Sequence, residues 1–170
     1  MTWDGWRTLH PETGVVGSET GHSRSYKTYP YGSYDIPDNT YLLFPFDIDP
    51  RRPPKERVLG IPGRTAYPFG ELAQLGDVGV IIDLDFVVMW DGRRDAATAF
   101  RRTVGEQMLT FKSESGTIVD LQTGSSWGVD GLAVDGPLEG QQLAMIPDAY
   151  VAYWFAWATF EPSTGLWEAP

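Results

Sequence analysis

The stretch DVGVIIDLDFVVMWDG, residues 77–92, decides the fold class. It alternates at first and then runs apolar from Phe86 to Trp90, the pattern of a buried strand or a pair of them. Downstream, ATAFRRTV and QMLTFKSE keep a period of two and are separated by Gly105, which predicts a hairpin. TIVDL (117–121) is expected as the next strand, and LAMIP (143–147) as the last before a terminal helix over 149–160. Strand, hairpin and strand in succession imply a mainly β (α+β) protein. The expected form is an antiparallel meander or small barrel-like sheet with short N-terminal and C-terminal helices.

Working back from this centre, VLGI (58–61) opens a strand, RTAYPFG (64–70) continues extended, and ELAQLG makes one helical turn. DPRRPPKER (49–57) cannot be helical at its proline pair and is expected as a surface connection. YLLFPFDI (41–48) reads as a short apolar strand interrupted by Pro45. Before it, SETGHSRSYKTYPYGSYDIP (18–37) spaces Tyr26, Tyr29, Tyr31 and Tyr34 through Gly and Pro, which suits an ordered, extended loop. The expectation is one domain over 1–170, with an aromatic loop region at 18–57 and a β-rich core with its closing helix at 58–170.

The two ends resemble each other. Trp3, Trp6 and Leu9 recur at helical spacing before Pro11, predicting a short amphipathic helix within 1–17. Trp6, Thr8, Pro11, Thr13 and Gly14 match Trp157, Thr159, Pro162, Thr164 and Gly165, each 151 positions on. Two readings stand: a local solution used twice, or a tandem repeat in which Met1 is a late start and 1–17 closes a preceding unit. The second implies a homo-oligomer through the terminal helices, with the first helix docking in trans.

Composition narrows the partners. At 170 residues the chain can bury a core without disulfides, and its 7 Trp, 8 Tyr and 8 Phe exclude disorder and point to an aromatic-rich β core. A net charge of −10 repels phosphate backbones and anionic membranes, so no nucleic-acid partner is expected. No apolar run reaches the length of a membrane span, and no signal-peptide pattern follows Met1, so a soluble chain without a direct membrane span is expected. With 0 Cys and 2 His, thiolate chemistry and a histidine-rich metal site are excluded.

Read together, HPETGVVGSETGHSRSYKTYPYGSY, LFPF, DPRRPPKERVLGI, RTAYP, AFRR with LTF, DLQTGSSW, GPLEGQQL and YWFAWATFEPSTGLW resemble, in this order and over nearly the whole chain, the bacterial and archaeal family known as domain of unknown function 3179. The resemblance implies a fold and an extracytoplasmic parent protein, because such proteins often begin with an export or lipoprotein signal. Many also carry a paired-cysteine CPLC-like motif after the central strand. The corresponding region here, IIDLDFVVMWDGRRDAATAFRR, has no cysteine, and the resemblance brings no established activity.

Candidate site residues come from three places. In DLQTGSSW, the Asp120 carboxylate and the hydroxyls of Thr123, Ser125 and Ser126 can satisfy one another in a turn, which is the plainer reading. The functional reading has Ser125 and Trp127 presented into a cleft, with the indole as an apolar wall for a ligand. Arg24 and Tyr26 in TGHSRSY, with Lys55 and Glu56 in PPKER, either tie loops down or capture an anion. Asp83 and Asp85, placed by alternation on one strand face near Asp91 and Asp95, are read first as a solvated face, since no calcium-loop spacing is present, and second as candidates for a divalent cation. No cofactor is otherwise expected, and the ligand, whether a small molecule or a protein, is left open.

Two functions remain. One is a non-catalytic ligand-binding or structural module with an aromatic cleft near Trp127 and the Tyr26–Tyr34 loop. The other is a cysteine-independent hydrolase using carboxylates with or without a divalent metal ion, which requires Asp120, Arg24 and Glu56 to converge in one pocket.

Overall fold

The computed structural model describes residues 1–43 and 47–170. Its architecture follows from the central apolar run, which forms two strands, β3 (Val78–Asp83) and β4 (Phe86–Asp91), paired antiparallel from Val78↔Asp91 to Asp83↔Phe86. The turn between them holds Leu84 at φ 43°. β5 (Ala96–Arg101) pairs along the other edge of β4, so both of that strand's edges are hydrogen-bonded. All six β4 residues are buried because both faces are covered as well. Val87 and Met89 point into one core with Phe100, Phe111, Ile118 and Trp127, while Phe86, Val88 and Trp90 point into another with Leu59, Tyr67, Phe69 and Leu72. The three-stranded sheet is therefore a middle layer.

On the second face lies the sheet of β1 (Arg57–Gly60) and β2 (Thr65–Pro68), flanked by β12 (Tyr150–Tyr153) and β13 (Gly165–Leu166) in the order β12-β1-β2-β13. Its pairs are antiparallel except β2–β13, which is parallel. A helical turn, α2 (Phe69–Leu72), follows β2 and delivers Phe69 and Leu72 to the core. The sheet's outer face, Val58 and Ala66, is covered by α3 (Trp154–Phe160) through Trp154, Trp157 and Ala158. Residue 60 must be glycine here: a Cβ would sit 2.3 Å from the Trp157 ring.

The first face of the middle layer carries a meander of β8 (Phe111–Glu114), β9 (Thr117–Asp120), β10 (Ser126–Trp127) and β11 (Ala133–Asp135), in the order β11-β10-β9-β8. A small hairpin, β6 (Thr103–Val104) and β7 (Gln107–Met108), turns at Gly105 with φ 58°, as its sequence predicts. At the N-terminus, α1 (Trp3–Leu9) packs Leu9 against this side of the core.

The mainly β class with short helices at both ends is as expected, but the strands form several sheets, none closed into a barrel. LAMIP is not a strand. It runs beside β5 with an isolated bridge from Met145 to Phe100 and hydrogen bonds from Ile146 N–H to Ala99 (2.9 Å) and from Arg101 N–H to Ala144 (2.7 Å). The last antiparallel strand is instead 150–153, taken from the expected helix because the edge of β1 lies open to it. Of the expected strand over 41–48, residues 44–46 lie outside the described residues, and 41–43 and 47–48 form no strand. The 18–37 region is turns and extended chain, as read.

Gly60→Ala is expected to cost about 1–3 kcal/mol, since an overpacked contact with a fully buried indole leaves no room to relax. Urea unfolding checks this. A midpoint equal to that of the parent would mean that Trp157 does not rest on Gly60.

Candidate functional site

The segment 49–57 is not a surface connection. Pro54, Lys55 and Glu56 are buried, and the reason is chemical: two adjacent prolines have no N–H to satisfy, so the chain can pass under its neighbours at little cost in lost hydrogen bonds. The carbonyls of Pro54 and Glu56 accept the N–H groups of Phe155 and Trp154, both at 2.8 Å, which ties the strap to the start of α3. Arg51 lies over the Trp154 ring at 5.1 Å and donates to the Asp49 carboxylate (2.8 Å) and to the Thr164 carbonyl (3.0 Å). Arg52 points the other way. Its guanidinium grips both Glu56 oxygens (2.7 and 2.8 Å) and one Glu71 oxygen (2.7 Å), while Glu56 also accepts Gly70 N–H at 3.1 Å. The Arg52 bond, the Ala169 N–H and Gln74 hold the Glu71 carboxyl below the usual carboxylate range.

Above this strap opens a cleft of about 640 Å³. Its floor is Arg52, Lys55 and Glu56, one lip is the loop of Asp35 and Asp38, and the other is Phe69 with Tyr153. Lys55 is 1% exposed. Its ammonium sits 3.5 Å from the centre of the Tyr34 ring and donates to the Tyr41 carbonyl, and its backbone N–H bonds Pro37 O at 3.0 Å. Burial pulls this ammonium below the ordinary lysine value, with the Asp35 charge working in the opposite direction. Arg57, at the cleft's edge, is paired with Asp95 and stacked 4.5 Å over Phe69. Asp35 and Asp38 are different: both are exposed and accept no hydrogen bond from the described residues.

Further tyrosines lie on the loop beside the cleft. Desolvation first, and then the charges of Asp35, Tyr153 and Tyr31, push the Tyr29 hydroxyl above its usual value. Tyr29 and Tyr31 meet edge to face at 5.6 Å, and Tyr34 and Tyr41 at 6.3 Å.

The residues singled out in the sequence fall in three separate places. Glu56 is in the cleft, held by Arg52. Asp120, Ser125 and Trp127 share a corner that satisfies itself. One Asp120 oxygen accepts Trp127 Nε1–H (3.0 Å) and Ser125 N–H (3.2 Å), and the other accepts Thr123 N–H (2.6 Å). Thr123 Oγ1 bonds the same carboxylate at 2.8 Å, and Ser125 Oγ accepts Leu138 N–H at 2.9 Å. Burial opposes the charge on Asp120, but the bonds from Trp127, Thr123 and Ser125 outweigh it and leave the carboxyl below its usual value. Trp127 is 3% exposed, with its ring edge-on to Phe111 at 5.6 Å, and the aromatic wall of the cleft is supplied by Phe69 and Tyr153 rather than by this indole.

Arg24 and Tyr26 stand on the exposed loop, where Tyr26 pairs with Thr20 at 2.7 Å and Arg24 makes no bond to Asp120. Asp83 and Asp85 do not share a strand face: β3 ends at Asp83, and Asp85 lies in the turn, ion-paired with Arg64 (3.3 Å) and Arg101. Asp91 is likewise held by Arg93 and Arg94, and Asp95 by Arg57. Among the described residues no group of three or more acidic or histidine side chains is arranged to hold a metal ion, and no helix is long and apolar enough to cross a membrane.

A family model described as "Protein of unknown function (DUF3179)" matches residues 1–164. The chain belongs to that family. No curated protein and no solved structure matches it. The DUF3179 match takes in α1, the strap, the cleft and the Asp120 corner, so all of them lie within the family's domain. The residues missed in the sequence, Asp35, Asp38, Arg52 and Tyr153, have no periodicity to mark them. The available signal was Lys55, one of three lysines, lodged between a proline pair and Glu56.

The folded Asp120 holds its proton less tightly than it would in the unfolded chain. Its contribution is thus complete above the ordinary aspartate value of about 4 and fades as pH falls through the lower folded value. Asp120→Asn is expected to cost about 1.5–3 kcal/mol at pH 7 and to flatten the loss of stability on acidification below about pH 5. Urea titrations at several pH values give the result, and an acid slope identical to the parent's would refute the assignment.

Proposed function

We propose that this chain is a non-catalytic ligand-binding module whose ligand enters the cleft over Lys55. The observation that carries the reading is the uneven bonding of the charges around it. Arg52 and Arg57 are engaged by Glu56, Glu71 and Asp95, whereas Asp35 and Asp38 face the same space with no donor bonded to them among the described residues. Pro37 between them stiffens the lip, so little order has to be gained on binding. Two free carboxylates opposite Tyr153 and Phe69 suit a small molecule that offers hydrogen-bond donors, as hydroxyls or an amine, and an apolar face to the rings. A hydrolase built from Asp120, Arg24 and Glu56 lacks the convergence it requires, because each of these is placed in its own neighbourhood. The extracytoplasmic setting rests on the family's habits rather than on any feature of the cleft.

The test is ligand-observed NMR with a panel of monosaccharides, polyols and primary amines, with calcium included because free carboxylates also take hard cations. At least one class is expected to bind the parent and to lose about tenfold in affinity, or 1.4 kcal/mol, in Asp35→Asn with Asp38→Asn. The melting temperature should hold, since both residues are exposed. Binding indifferent to the double substitution, or no binding by any class, would sink the proposal.

A further inference from the structure

The match between the chain's two ends extends to their atoms. α1 and α3 are both seven residues long, and each is entered from an extended residue, Thr2 (φ −70°, ψ 158°) or Tyr153 (φ −73°, ψ 145°). They end alike, His10 at φ −130°, ψ 69° and Glu161 at φ −123°, ψ 63°. The final N–H of each bonds the tryptophan carbonyl at 2.8 Å: His10 to Trp6, and Glu161 to Trp157. Thr8 Oγ1 bonds Asp4 O at 2.8 Å, as Thr159 Oγ1 bonds Phe155 O at 2.7 Å. The indoles reach forward over the turn in the same way, Trp6 Nε1 to Thr13 Oγ1 at 2.9 Å and Trp157 Nε1 to Thr164 Oγ1 at 3.1 Å.

What differs is what lies against them. Trp154 and Trp157 are 0% exposed, seated on β1 and β2, and Gly165–Leu166 continue as β13 along the β2 edge. Their counterparts Trp3 and Trp6 are 49% and 40% exposed, and Val15 and Val16, where β13 and its sequel would run, are 67% and 88% exposed. α1 is held to its own chain through Gly5, Leu9 and its first turn rather than through the tryptophans. Gly5 lies against Arg94, Thr2 N–H bonds Arg94 O at 2.9 Å, and Leu9 packs on the core. On α3 the equivalent of Leu9 is Phe160, 77% exposed.

From this we infer that residues 2–17 form the closing element of a second sheet of the β12-β1-β2 kind. The tryptophan face seats on another unit of this same fold whose β2 edge is open, while the Leu9 face stays on the present unit. The C-terminal copy displays the seat: a β2 edge that takes a parallel strand, and a glycine under the second indole. An intact second copy of this chain is not the occupant, because β13 already fills its edge. The fit is strained most at Arg7, beyond the loss of volume where Val16 matches Trp167. Arg7 stands where Ala158 is 7% exposed, so its stem must lie along the sheet with its charge led outward.

A graft of Trp3–Gly17 in place of Trp154–Glu168 in the full chain tests this. With Arg7→Ala inside the graft, the protein is expected to keep a single cooperative thermal transition and the blue-shifted tryptophan emission of the parent. The unsubstituted graft should melt lower. Trp6→Ala inside the graft should abolish the transition, whereas Trp3→Ala with Trp6→Ala at the native N-terminus should leave it in place. Failure of the Arg7→Ala graft to fold cooperatively, indifference of the graft to Trp6→Ala, or loss of the parent's transition on changing the native Trp3 and Trp6 would each overturn the inference. Dimerisation of the intact parent through residues 1–17 would also overturn it.

Discussion

Everything in this molecule is arranged to keep water from β4. A strand of five apolar residues closed by an aspartate, hydrogen-bonded along both edges and covered on both faces, cannot be served by one partner sheet. It needs a layer on each side. The meander of β8–β11 supplies one and the β1–β2 sheet the other, and the latter exposes an apolar outer face of its own that requires α3. Charge is held to the ends of the strand. Asp91, 4% exposed, closes β4 by accepting the N–H groups of Arg93 (3.0 Å) and Arg94 (3.2 Å), and Arg94 also pairs with its carboxylate.

The cleft is a product of that layering. Where β1 begins, the chain must enter between α3 and the turn that follows β2, and it does so as a proline-rich strap that asks for few donors. Once the strap is buried, its charged residues have to be satisfied locally. Arg52 meets two glutamates in a fork geometry that lysine could not reproduce, and Lys55 is left with a carbonyl and a tyrosine face. Among the described residues the carboxylates opposite take no part in these bonds, which is why the binding proposal rests on Asp35 and Asp38 rather than on the stronger ion pairs below them.

The legibility of the sequence followed the range of the forces involved. β4 was readable because two-sided burial writes an unbroken apolar run, and the Gly105 hairpin because turn chemistry is local. The Asp120 corner was readable as a turn for the same reason, its bonds spanning residues 120–127 with Leu138 added. The strands at 126–127 and 133–135 were hidden, since two or three residues among Gly and Asp carry no period. LAMIP has a strand's composition but only an isolated bridge to β5. The burial of Lys55 could not be read at all. It depends on Tyr34 and Tyr41, which are brought over it by a loop whose path no short pattern encodes.

The duplicated ends separate two kinds of information in one motif. The residues identical between the copies include those that make the shared bonds: the tryptophan and second threonine span the turn, the first threonine back-bonds within the helix, and proline stops it. These bonds form equally well around an exposed indole and a buried one, so they are encoded locally and owe nothing to the seat. Among the residues that differ, Arg7 against Ala158 and Leu9 against Phe160 stand where the copies meet or avoid other elements. The motif's own geometry accounts for Trp6, which bonds Thr13 and packs on His10 at 4.3 Å, but it gives no local role to Trp3, 49% exposed one turn before it. Two indoles, partly exposed and spaced as Trp154 and Trp157 are, make the argument that the face has a seat.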